Sequence, residues 1–78
     1  MNARLLFLGK LADLAGAAEM EVAPGPLEAV LATLAPALAV ELLGERVRMA
    51  LNGEITGDRA VVLGKGDELA FLPPVSGG

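Results

Sequence analysis

Two segments far apart in the chain, Leu5-Leu6-Phe7-Leu8 and Leu69-Ala70-Phe71-Leu72, are apolar at every position. Side chains of a strand alternate between its two faces, so such a strand has no polar face to give to water. That places both segments inside a sheet, and we expect the first strand (Arg4 to Gly9) and the last (Glu68 to Leu72) to be central neighbours. Leu5, Phe7, Leu69 and Phe71 then share one face, which the chain must cover from within. Leu6, Leu8, Ala70 and Leu72 share the other.

The cover is supplied by the segment after Pro24-Gly25-Pro26. Leu27, Val30, Leu31 and Leu34 recur at i, i+3, i+4 and i+7, the stripe of a helix packed on one side. Pro26 suits the first helical position, where a missing N–H costs nothing. Glu28 faces the positive end of the helix dipole, and Pro36 is expected to end the helix. Ala37 to Leu43 reads as a second short helix closed by Gly44. Lys10 to Gly16 reads as a helical turn and Glu19 to Val22 as a half-buried strand. Val47, Met49 and Leu51 alternate with Arg46, Arg48 and Ala50 and run into Asn52-Gly53, a hairpin signal, with Ile55 and Thr56 beginning the return strand. Val61 to Leu63 is a brief extended piece, Gly64 to Asp67 a turn, and Pro73-Pro74 stop the last strand. Strand, strand, helix and further strands in this order fit an α+β fold of the β-grasp type, a mixed sheet with one main helix on one face. Residues 1–74 form that domain and residues 75–78 a tail.

Composition decides what such a domain can do. The chain has 78 residues, 54% of them hydrophobic, and a domain of this size hides only about 60% of its unfolded surface, so some apolar surface stays exposed. Leu6, Leu8, Ala70 and Leu72 on the open face are the candidates. They read as a docking surface, the alternative being that much of the apolar content is alanine, which is cheaply exposed. Cysteine and histidine are both absent, which removes disulfides, a thiol nucleophile, an imidazole base and the usual zinc ligands. A net charge of −4 argues against nucleic acid as a partner. The longest apolar stretch, Ala29 to Val40, is broken by Thr33 and Pro36 and is too short to span a membrane. Lys10 and Asp13 interrupt the Leu5 to Leu8 run too early for a signal peptide, so a cytoplasmic location is expected.

Other chemistry is set aside residue by residue. Lys65 is followed by Gly66 where a phosphate loop needs Ser or Thr for Mg²⁺. Asp58, Asp67 and Glu68 sit in or beside turns without the spacing of a calcium loop, so no metal is expected. Ser76 has no base to activate it. A carboxylate pair for acid–base work would need a cleft that so small a domain hardly offers.

The remaining feature is Gly77-Gly78, directly after Pro73-Pro74-Val75-Ser76. Two glycines can thread a narrow slot and leave a bare terminal carboxylate, suited to being another enzyme's substrate. A frayed polar tail is the plain alternative. From Pro73 to Gly78 an extended chain reaches roughly 20 Å, and the two prolines stiffen its exit.

The run Gly66-Asp67-Glu68-Leu69-Ala70-Phe71-Leu72-Pro73-Pro74-Val75-Ser76-Gly77-Gly78 resembles the C-terminal signature of the MoaD-type sulfur carriers, the small subunits of molybdopterin synthase. Leu6-Phe7-Leu8-Gly9 followed by Ala12-Asp13-Leu14-Ala15-Gly16 is similar to that family's opening, and Leu51-Asn52-Gly53 to its central hairpin strand. The resemblance implies a ubiquitin-like β-grasp. It also implies that a ubiquitin-activating-like adenylyltransferase uses ATP to adenylate the Gly78 carboxylate, after which a sulfurtransferase donor yields a thiocarboxylate. Pro74, Val75, Ser76 and Gly77 would enter the large synthase subunit, whose side chains perform the catalysis on cyclic pyranopterin monophosphate. Leu6, Leu8, Arg48, Ala70, Leu72 and Pro73 would meet that subunit, and the chain itself would hold no cofactor. Pro73-Pro74-Val75 favours this branch over a carrier for thiamine or tRNA thiolation. A ubiquitin-like modifier and a binding module with an inert tail are the other readings.

Overall fold

The computed structural model describes residues 2–74. Its five-stranded sheet has the order β2-β1-β7-β4-β5. Strand β1 (Ala3–Phe7) lies antiparallel to β2 (Glu19–Val22) and parallel to β7 (Glu68–Leu72). On its other side β7 pairs antiparallel with β4 (Arg48–Leu51), which turns through Asn52-Gly53 into β5 (Glu54–Thr56). The two doubly apolar segments are thus the inner neighbours that their composition requires. One parallel pair among antiparallel pairs makes the sheet mixed, and the fold is the expected β-grasp.

The inner face holds the core. Leu5, Leu69 and Phe71 are at most 1% exposed and Phe7 is 3% exposed. Phe7 and Phe71, directly opposite in register, stack with ring centroids 5.9 Å apart. Leu27, Val30 and Leu31 close over them, with Leu34 packed at the margin. Each buried leucine contributes about 1.5–3 kcal/mol by leaving water, which lets so small a domain hold together without a disulfide.

The helical cover is divided differently from the single main helix that the stripe suggests. Helix α2 spans Leu27–Ala32 and a separate α3 spans Pro36–Leu42, with α1 (Lys10–Ala15) following β1. Pro36 begins α3 at its first position and does not itself end α2. Its ring disfavours helical backbone at Ala35, which is extended at φ −57°, ψ 136°. The chain therefore unwinds beforehand, through Thr33, whose hydroxyl donates to the Val30 carbonyl at 2.7 Å, and Leu34. Leu38 and Leu42 of α3 are buried with the core.

Pro26 is likewise the residue before α2, with extended backbone at ψ 147°. With Gly25 it forms a two-residue strand β3 paired to β6 (Val62–Leu63), a small second sheet absent from the sequence reading. Gly44 follows α3, but its φ is not positive. Its N–H donates to the Glu41 carbonyl at 3.1 Å, and a Cβ there would crowd the same oxygen. Strands β1 and β4 are also shorter than expected: Leu8 and Gly9 lie beyond β1, and Arg46 and Val47 before β4. Among the described residues no helix is long and apolar enough to cross a membrane.

Candidate functional site

The open face of the sheet can be laid out from its register. Leu6 stands beside Ala70, Ala70 beside Ala50, and Ala50 beside Ile55, an apolar row across β1, β7, β4 and β5. Glu19 of β2 ends the row on the far side of Leu6. One step toward the end of β7, Leu72 faces Arg48, and continuing the β1–β7 register puts Leu8 on its other flank. The Leu8 N–H donates to the Phe71 carbonyl at 3.1 Å, holding that flank in place. The opposite end of the same face is polar. Arg4 there reaches Glu19 at 3.6 Å and Glu68 at 3.4 Å, and Asn2 donates to Glu21.

The six sequence-predicted docking residues within the described chain therefore come together. Leu6, Ala70, Leu72 and Pro73 are half-buried, while Leu8 (42%) and Arg48 are exposed. The sequence reading missed Ala50 and Ile55. Ile55, 67% exposed, carries the apolar band to the sheet edge. Its signal was available: the two-residue Asn52-Gly53 loop sets Leu51 against Glu54 and hence Ala50 against Ile55.

Strand β7 leads out of this band through Pro73 and Pro74, both half-buried. Pro74 closes one side of a groove of about 330 Å³ whose walls include Lys10, Leu11, Arg46 and Val47. The root of the tail is thus seated on the domain. Val75, Ser76, Gly77 and Gly78, the remaining predicted site residues, lie outside the described residues.

At the other end of β7 a polar latch fixes the turn that precedes it. Asp67 accepts from the Gly64 N–H at 2.7 Å and from the Asn52 side chain at 3.1 Å. Asn52 in turn accepts from the Glu68 N–H at 2.9 Å. The Gly64 bond, followed by that of Asn52, holds the Asp67 carboxyl below its ordinary value of 3.8, against a smaller opposing effect of desolvation. This is scaffold chemistry: it secures the register of β4 and β7 beneath the open face. Among the described residues, no three His, Cys, Asp or Glu side chains gather as a metal-ligand group.

A mixed five-stranded sheet with a central parallel pair and a helical cover on one face is a ubiquitin-like β-grasp, the fold of ubiquitin-like sulfur carriers and modifiers. The chain belongs to the ThiS family, whose model matches residues 5–78. Among solved structures, SAMP1 from Haloferax volcanii is 27% identical and superposes with a TM-score of 0.81 over the whole of both chains. CysO of Mycobacterium tuberculosis is 20% identical with a TM-score of 0.76, over 95% of this chain and all of that one. Subunit 1 or 2 of the molybdopterin-converting factor of Helicobacter pylori, determined as a protein–protein complex, is 22% identical with a TM-score of 0.67 over the whole of both chains. At those identities the last two likenesses speak to the fold. No curated protein sequence matches.

Proposed function

We propose that this chain is the sulfur carrier of a molybdopterin synthase, with Gly78 as the atom-bearing residue. One observation carries the reading: in a ThiS-family chain, an apolar band on the open sheet face runs directly into the Pro73-Pro74 root from which Gly77-Gly78 would extend. A partner that covers Leu6, Leu8, Ala70 and Leu72 receives the tail in the same encounter. The likeness to a molybdopterin-converting factor subunit seen in a two-subunit complex supports a heteromeric partner of that kind.

The chemistry requires little of the carrier's own side chains. A free carboxylate is a poor electrophile. Attack of the Gly78 carboxylate on the α-phosphorus of ATP, at an adenylyltransferase, releases pyrophosphate and leaves an acyl-adenylate. Hydrosulfide supplied by a donor protein then attacks the acyl carbon and displaces AMP, leaving a thiocarboxylate. Delivery of that sulfur to cyclic pyranopterin monophosphate falls to the large subunit, with this chain contributing the reactive atom and its placement.

Incubation with an activating enzyme, ATP and a sulfur donor, followed by intact mass spectrometry, tests the proposal. A sulfur-for-oxygen mass gain at the C-terminus is expected, and no gain with a demonstrably active partner overturns it. The likeness to SAMP1, which is by name a small archaeal modifier protein, supports a second reading in which the same terminus is conjugated to other proteins. Higher-mass adducts that depend on Gly78 would decide for the modifier. Transfer of sulfur to a thiamine precursor or tRNA in place of the pyranopterin would move the chain to another carrier branch.

A further inference from the structure

We infer that Gly9 is a positioning residue: it seats Pro73 and so sets the heading on which the chain leaves the sheet toward Gly78. Its consequence for turnover rests on the carrier reading above; its geometry does not. Two independent observations meet at this residue. Gly9 has φ 55° and ψ −134°, a backbone conformation closed to ordinary L-residues. It turns the chain sharply from β1 into α1, the Leu8 carbonyl accepting from the Leu11 N–H at 3.1 Å and the Gly9 carbonyl from the Ala12 N–H at 3.0 Å. Separately, a Cβ added at Gly9 would stand 3.1 Å from the Pro73 Cγ and 3.9 Å from its Cδ.

The second observation matters because of what Pro73 lacks. Without an N–H it cannot continue the ladder beyond Leu72, so its place is fixed by contact. One flank of that contact is the bare backbone of Gly9. The next residue, Pro74, forms part of the wall of the groove together with Lys10, Leu11 and Arg46. A methyl group at position 9 would crowd the ring, which must give by a few tenths of an ångström at the root of the tail. Because a reacting atom misplaced by about 1 Å can lose on the order of a hundredfold in rate, a displacement of the root that reaches Gly78 lowers turnover.

The experiment compares L- and D-alanine at position 9 and uses a change at Pro73 to separate backbone strain from the contact. Total chemical synthesis gives Gly9→Ala and, at the same position, D-alanine, which favours this backbone and points its methyl away from the L-Cβ site. A spin label on Ser76→Cys, unique because the chain has no other cysteine, reports the tail heading through its broadening of domain amides. Exchange of pyrophosphate into ATP by the activating enzyme reports carboxylate activation. Gly9→Ala is expected to shift the broadening pattern and lower kcat about tenfold or more with KM unchanged, while D-alanine keeps both as in the parent chain. Whether or not Gly9→Ala folds, Pro73→Ala, which empties the seat without straining residue 9, carries the same expected shift, and a parent-like pattern in Pro73→Ala assigns the Gly9→Ala effect to strain and overturns the inference. Equal behaviour of the L- and D-alanine forms, whether both intact or both impaired, overturns the inference. No pyrophosphate exchange by the parent chain with an active partner overturns the carrier reading instead, and the broadening pattern then decides Gly9 alone.

Discussion

The two faces of the five-stranded sheet are built from the same two central strands and differ in what covers them. On the inner face Leu5, Phe7, Leu69 and Phe71 are covered by α2 and α3, which the chain itself supplies. On the outer face Leu6, Leu8, Ala70 and Leu72 have nearly the same apolar character and no cover among the described residues. The inner face is solved by folding. The outer one stays open beside the point where the chain leaves β7, and the proposed function gives it to a partner. Composition alone does not distinguish them; the helix stripe does, because it can close over one side only.

Substitution on the inner face should give the largest effect and should act on stability. Phe71→Ala removes one ring of the stacked pair and leaves a cavity under α2, for an expected loss of about 3–5 kcal/mol in unfolding free energy by urea denaturation. Such a loss is a large share of the stability of any small domain. A loss below about 1 kcal/mol would mean that the inner face is not the core and would dissolve the contrast.

The outer face should show the reverse pattern. Leu8→Asp is expected to change the unfolding free energy by no more than about 0.5 kcal/mol, since the side chain is already 42% exposed. The same change should weaken binding to the activating enzyme or the large subunit about tenfold to a hundredfold, by calorimetry or surface capture, if Leu8 is a central contact. Ile55→Glu, at the rim of the band, should cost less than Leu8→Asp in the same assay. Equal affinity for all three chains would show that the apolar band is tolerated and not used.

How much of this was legible in the sequence follows from the range of each signal. Strand faces depend on a period of two, so Leu5 and Phe7 were separable from Leu6 and Leu8 without knowing the partner strand. The Asn52-Gly53 turn is equally local, and it appears with the expected positive φ values of 50° and 88°. Helix ends were less legible. The effect of Pro36 passes to Ala35 and then to the turn before it, so the stripe that includes Leu34 runs past the helix that ends at Ala32. Of the two-residue strands, β6 was legible as the brief extended piece at Val61 to Leu63, but its pairing with β3 was not, because that pairing exists only through bonds across the fold. The candidate site divides in the same way. The docking residues follow from periodicity, Gly9 needs the contact with Pro73 to be seen, and Gly77-Gly78 is legible only as chemistry.

The smallest effect belongs to the polar latch, and it tests whether the two ends of the open face are independent. Asp67 is held below its ordinary pKa of 3.8 by the Gly64 N–H and the Asn52 side chain. A lowered carboxylate contributes stability that is present above the ordinary value and is lost as the pH falls through the lowered one. The parent chain should therefore lose stability in that acidic window, and Asp67→Asn, which has no charge to lose there, should show a shallower decline in urea midpoint between neutral and strongly acidic pH. The carboxylate is solvent-exposed, so the difference will be modest and weaker in high salt. Since Asp67 precedes β7 and the tail root follows it, the substitution should leave partner affinity at neutral pH unchanged. Loss of affinity with the fold intact would show that the latch reaches the far end of the strand through the β4–β7 register, and the docking surface would then have to be drawn over the whole face.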